Sequence, residues 1–150
     1  PGTVATPGDT LRYRLYVENL SDVAVNDFRI LDELDRLNAD PYFQAGTLNV
    51  VTLPAGAVAD NTDANGGTAG TGLLDVRNLS IGGLGETVLV EFDVRLAPVI
   101  ANDTFVYNQS EILFDDFSAA VSDDPNVNGA ADPNVAGDED PTQIQIQSAP

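Results

Sequence analysis

Apolar and polar residues alternate from Thr10 to Glu18, with Leu11, Tyr13, Leu15 and Val17 on one side and Arg12, Arg14, Tyr16 and Glu18 on the other. The stretch 86–96 repeats the pattern, placing Val88, Val90, Phe92, Val94 and Leu96 inward and Glu91, Asp93 and Arg95 outward. A period of two marks strands with one buried face, hence a mostly antiparallel sheet. Weaker strand patterns cover 23–31, 46–53, 73–81, 104–114, 117–122 and 142–147. Clusters of Gly, Pro, Asn and Asp separate them. The chain is therefore expected to form one all-β domain over residues 1–150, a sandwich of about 7–8 antiparallel strands in two packed sheets. Leu31, Leu34 and Leu37 recur every three residues, which predicts a short helical turn around 31–37.

Two loops are long. Residues 54–72 carry almost no large apolar group, and residues 115–141 are acidic and rich in proline. A loop of this length in a compact domain is either disordered or ordered by something other than the core.

Charge narrows the choice of agent. The chain has 6 basic and 24 acidic residues, a net charge of −18, and all six basic residues are Arg. Lys, His, Cys, Met and Trp are absent. These gaps exclude disulfides, thiolate zinc sites, a Ser–His–Asp triad and Lys-based chemistry, including Lys–Asn cross-links. The acidity opposes nucleic acid and anionic lipid, and its natural counterion is a hard cation. The apolar share of 43% supports a globular core. Apolar runs are too short to span a membrane. With Pro1 first and no Met, the chain is expected to be a processed product or an excised segment.

The acidic loop is periodic. Between 115 and 140 there are eight acids and no basic residue, and Asp124-Pro125, Asp132-Pro133 and Asp140-Pro141 recur every eight residues. Asp124, Asn126 and Asn128 stand at positions 1, 3 and 5 of a unit, Gly129 at 6 and Asp132 at 9. This is the front half of a Ca2+ loop, in which alternate oxygen side chains converge as the chain curls and Gly permits the sharp turn. A second, overlapping unit offers Asp132, Asn134, Asp138 and Asp140, with Ala136 at its fifth position. Neither unit has the Glu at position 12 of an EF-hand, so further ligands must come from elsewhere. Asp123, Asp32, Asp35, Asp115 and Asp116 are candidate donors, and Asn61, Asp63 and Asn65 before Gly66 form a third candidate loop. Asn65-Gly66 is equally a hairpin-turn signal. At 100-fold above its dissociation constant, each bound ion adds about 2.7 kcal/mol.

Five segments together resemble a known family. They are Thr6-Pro7-Gly8-Asp9-Thr10, the strand ending Val17-Glu18-Asn19, Asn26 to Asp32, Gly85-Glu86-Thr87 before a Val-rich strand, and Tyr107-Asn108-Gln109-Ser110-Glu111. Their order, with the acidic ending from Ser122 to Thr142, resembles the bacterial conserved-repeat surface domain called domain of unknown function 11, over roughly residues 6–147. The resemblance implies an immunoglobulin-like sandwich, usually in tandem copies, in secreted or wall-associated proteins, with no catalytic residues.

The functional expectation is a Ca2+-rigidified structural building block of an extracellular fibre or adhesin stalk, with no enzymatic activity. Its expected partners are neighbouring copies, in tandem or as a homopolymer joined by strand addition. Nucleic acid is not expected as a partner, nor is a membrane span. The alternative is a terminal adhesin module that grips a glycan or protein ligand through loop 54–72 and the Ca2+ site. Strand 142–147, with its single apolar face of Ile144 and Ile146, is expected to close its own sandwich. Sequons at Asn19, Asn78, Asn102 and Asn108 are potential glycan sites in a secreted protein.

Overall fold

The computed structural model describes residues 3–115, 117–124, 127 and 139–148. Among these the fold is all-β. Ten strands occur in chain order: β1 (Val4–Ala5), β2 (Thr10–Glu18), β3 (Val25–Glu33), β4 (Asn49–Thr52), β5 (Leu73–Ile81), β6 (Thr87–Arg95), β7 (Phe105–Asn108), β8 (Glu111–Phe114), β9 (Phe117–Val121) and β10 (Thr142–Ile146). They form three sheets, β2-β6-β4, β5-β3-β8-β9 and β1-β10-β7. Every pairing is antiparallel except β1 with β10.

The alternation in β2 and β6 meets across the sheet. Tyr13 lies opposite Phe92 and Leu15 opposite Val90, on the buried side. On the other side Arg12 pairs with Asp93 and Arg14 with Glu91, both at 2.8 Å. All three sheets contribute to one core: Tyr13, Val90 and Phe92 from the first, Phe28, Ile30 and Leu79 from the second, Ala5, Val106 and Ile146 from the third. The architecture is that of a β-sandwich, as the periodicity predicts.

β3 and β5 each carry one extra residue, and the two irregularities cancel. Between the pairs Val25–Ile81 and Phe28–Leu79 the extra residue is on β3, and between Phe28–Leu79 and Ile30–Val76 it is on β5. Asp27 (φ 61°) and Asn78 (φ 58°) take up these bulges, a backbone region that Asp and Asn tolerate best among side-chain-bearing residues. Register is thereby restored, and Phe28, Ile30 and Asp32 all face inward.

Three expectations need correction. No helical turn forms at 31–37: β3 runs to Glu33, Leu34 is fully buried, and Asp35 at φ 64° starts a turn that leaves Leu37 exposed. The three-residue spacing thus arises where a strand runs into a turn. The segment 104–114 is two strands instead of one, interrupted at Gln109-Ser110. β7 pairs with β10, while β8 pairs with β3 and β9. That split, with the short β1, raises the strand number to ten. β10 closes its own sandwich, between β7 and β1.

Loop 54–72 is ordered by hydrogen bonds. Isolated bridges tie Val58 to Arg77 and Asp63 to Leu73. The Thr62 hydroxyl donates to the Asp75 carbonyl and accepts the Asp75 N–H. Glu33 accepts the Thr68 N–H, and Arg77 pairs with Asp60. Small side chains such as Ala57, Ala59 and Ala64 pack on the core, which is why this loop needs no large apolar residue.

Candidate metal centre at the base of the acidic loop

Asp32 is the last inward position of β3, and only 1% of it is exposed. Its Oδ2 accepts the Asn108 Nδ2–H at 2.7 Å and the Ser110 hydroxyl. Its Oδ1 is buried with no hydrogen-bond partner, and so is Oδ1 of Asn108. Both donors come from the β7–β8 interruption, where Val106, Asn108 and Ser110 occupy the inward phase. Burial pushes the Asp32 carboxyl up to about 6, against the opposing effect of the Ser110 and Asn108 hydrogen bonds and the Arg36 charge.

Tyr13 reaches the same region from the opposite sheet. Its ring stacks on Phe92 with centroids 5.3 Å apart, and its hydroxyl is buried without a partner. Burial raises the phenol's pKa, and the charges of Asp32, Asp35 and Asp124 raise it further. Three carboxylates from three segments therefore act on one buried hydroxyl.

The two ends of the acidic loop fasten together beside this point. Asp124 donates its N–H to the Asp140 carbonyl at 2.9 Å, and Asp140 donates its N–H to Asp123 Oδ1 at 2.9 Å. Asp124 Oδ2 accepts the Gln143 N–H at 3.1 Å. Ser122 anchors the latch to the strand interruption, donating its N–H to the Ser110 carbonyl and accepting the Ser110 N–H at its hydroxyl. Asp124 is 2% exposed, and Asp140 Oδ2 is buried without a partner. Four arginines pair with Asp93, Glu91, Asp75 and Asp60, all outside 115–141.

The other expected ligands separate into groups. Asn126, Asn128, Asp132, Asn134, Asp138 and Asp116 lie outside the described residues. Both oxygens of Asp35 are committed: Oδ1 accepts from Asn38 Nδ2 and the Tyr42 N–H, Oδ2 from the Phe43 N–H and the Thr71 hydroxyl. Asp35 is a turn organiser. Asp115 (φ 47°) sits at the tip of the β8–β9 hairpin, roughly 15 Å from Ser122 at its other end. Asn61, Asp63 and Asn65 are exposed, and their spacing builds a turn in which Asp63 Oδ1 accepts the Asn65 N–H at 2.9 Å. Gly66 is required there, because a Cβ would lie 2.9 Å from that of Asp63.

Among the described residues no group of three or more Asp or Glu side chains forms a ready-made metal cluster. The fold supplies two separate oxygen pairs near the loop base, Asp32 with Asn108 through their side chains and Asp124 with Asp140 through their backbones. Ca2+ accepts such a mixture, since amide and backbone oxygens serve it alongside carboxylates. Asn108, Ser110, Ser122 and Tyr13 were not among the expected site residues. Their signal was polar groups at the inward phase of strands, at 32, 108 and 110. No family model, curated protein sequence or solved structure matches the chain.

Proposed function

We propose that the chain is a structural module of an extracellular bacterial fibre or adhesin stalk, an immunoglobulin-like sandwich whose acidic loop is rigidified by Ca2+. The observation that carries this reading is the latch of Asp123, Asp124 and Asp140. It ties the two ends of the acidic loop to each other and buries Asp124 in a protein of net charge −18. A divalent cation offsets that repulsion at the point where the loop rejoins the sandwich. The immunoglobulin-like part of the reading is supported by the mostly antiparallel sheets packing on one shared core.

Neighbouring copies are the proposed partners. The outer edge of the second sheet is β9, whose residues are all exposed, including Phe117 at 77%. Among the described residues no strand pairs with the outer side of β9, an edge suited to strand addition. The proposal includes a location outside the cell and no catalytic role. Calorimetry of the isolated domain tests it. Millimolar Ca2+ is expected to raise the melting temperature over that in EDTA, and an unchanged temperature would refute the reading.

A second reading rests on one feature, a cleft of about 210 Å3 lined by Thr3, Phe105, Asp124, Gln143 and Gln145 among others. Polar side chains around an aromatic ring suit a glycan, held beside the Ca2+ loop. Glycan-array binding by the isolated domain would favour this terminal-module reading over the stalk.

A further inference from the structure

β2 is an outer strand of its sheet, nine residues long and without a register shift against β6. Asp9 accepts the Leu96 N–H and Asn19 donates its N–H to the Glu86 carbonyl, so the odd-numbered residues between them bond to β6. The even-numbered residues, Thr10, Arg12, Arg14, Tyr16 and Glu18, direct their backbone N–H and C=O groups to the outer side. Among the described residues nothing pairs with them there. The other nine-residue outer strand, β5, is covered by loop 54–72 through the bridges Val58–Arg77 and Asp63–Leu73. β1 does not cover β2, because it pairs with β10.

The side chains of β2 show the same gap. Leu11 and Leu15 are only partly buried, although Val94 and Val90, their partners on β6, are fully buried. On the solvent face Tyr16 is 69% exposed. A long, regular edge with half-covered apolar residues is a template for another strand. The charge along it indicates which strand. β2 holds two Arg and one Glu, a net +1 in a chain of −18. Arg12 and Arg14 stand towards its start and Glu18 at its end, and among the described residues Glu18 has no ion-pair partner. Antiparallel pairing of this strand with itself brings its basic part against its acidic end.

We propose that the free edge of β2 docks the β2 edge of a second copy, antiparallel about a twofold axis at Leu15, so that two three-stranded sheets join into one of six strands. In this register Arg12 lies opposite Glu18 of the second copy and Arg14 opposite its Tyr16, and symmetry makes each contact twice. The first is an ion pair between directly opposed residues and the second a cation–π contact on an exposed ring. On the core side Leu15 meets Leu15, and Tyr13 meets Val17. Neighbouring registers are worse. One step in one direction sets Arg14 against Arg14, and one step in the other carries Arg12 past the strand end, opposite Leu20. The inference deepens the neighbouring-copy part of the reading above, does not depend on Ca2+ and does not use β9. Long-range repulsion between the two acidic chains is screened at about 0.15 M salt, where the Debye length is about 8 Å.

A charge exchange tests the contact. Sedimentation velocity in that salt, with EDTA and with Ca2+, is run over a concentration series for wild type, Arg12→Glu, Glu18→Arg and an equimolar mixture of the two variants. Wild type is expected to reach twice the mass of one chain in either buffer. Each variant alone sets like charges opposite each other twice and is expected to dimerise about tenfold more weakly or worse. In the mixture a mixed dimer has both opposite-charge contacts again, so the doubled mass returns. Neither variant can repair a folding defect in the other, so recovery on mixing reports the contact itself. Phe117→Glu, on β9, is expected to dimerise as wild type does. A wild type that stays monomeric leaves the β2 edge to a strand of another protein and overturns the proposal. Single variants that dimerise like wild type, or a mixture that does not recover, overturn it as well. Loss of the dimer in Phe117→Glu alone moves the contact to β9, which refutes the β2 pairing and leaves the neighbouring-copy reading standing. The calorimetric test of Ca2+ is decided separately from all of these.

Discussion

Asn108 donates its side-chain N–H to Asp32 Oδ2 at 2.7 Å, tying the end of β7 to the last inward residue of β3. This bond spans the point where one strand of the sandwich is interrupted. Replacing Asn108 by Ala removes a charge-assisted bond inside the core and is expected to cost about 2–3 kcal/mol in urea unfolding. Ser110→Ala should cost less, about 1–2 kcal/mol, because the Asn108 bond remains.

Acidity should stabilise the calcium-free protein over a defined window. The folded-state pKa of Asp32 is raised from 3.8 to about 6, so the folded state holds a proton that the unfolded chain releases. Its contribution is fully present below about pH 4 and is lost as pH rises through 6, a change on the order of 3 kcal/mol. Glu33, Asp60, Glu91 and Asp93 act oppositely. Their pKa values are lowered, mainly by hydrogen bonds from Thr68, Arg77, Thr52 and Arg12 respectively, so their contributions fade as pH falls below about 4. Urea midpoints in EDTA should therefore peak near pH 4–5 and decline toward 7.

Asp35 distinguishes a structural carboxylate from a metal ligand. Four donors converge on it at the start of the turn after β3. Asp35→Ala is expected to cost about 3 kcal/mol or more, leaving buried donors such as the Phe43 N–H unmet. The variant that remains folded at low temperature should bind Ca2+ with wild-type stoichiometry.

Loop 54–72 should be indifferent to calcium. Asp63→Ala removes the bond to the Asn65 N–H and is expected to lower stability by about 0.5–1 kcal/mol, with no change in the Ca2+ titration. A lost ion in this variant would restore Asn61, Asp63 and Asn65 as ligands.

The sandwich was legible because period-two alternation survives in β2 and β6, whose bounds, like those of the bulged β5, fall within a residue or so of expectation. The interruption at Gln109-Ser110 was not, since Val106, Asn108, Ser110 and Ile112 keep one alternating phase through it and nothing in that phase marks a change of partner. The Leu31–Leu34–Leu37 spacing misled, because it straddles a strand end and the left-handed Asp35. In loop 54–72 the Asn-x-Asp-x-Asn-Gly spacing fits a turn and a cation loop alike, and only the hydrogen bonds separate them. For the candidate site, the acidic repeat drew attention to the segment whose two ends form the latch. The polar inward positions at 32, 108 and 110 pointed to its floor, but pairing them requires knowing that β3 lies beside β8.

Amide hydrogen exchange at residues 122–124 and 139–146 tests most directly whether Ca2+ fastens the acidic loop to the sandwich. The account predicts strong protection of the Asp124, Asp140 and Gln143 amides in millimolar Ca2+ and fast exchange in EDTA, with β2 and β6 protected in both. Equal exchange of those three amides with and without Ca2+ would contradict it.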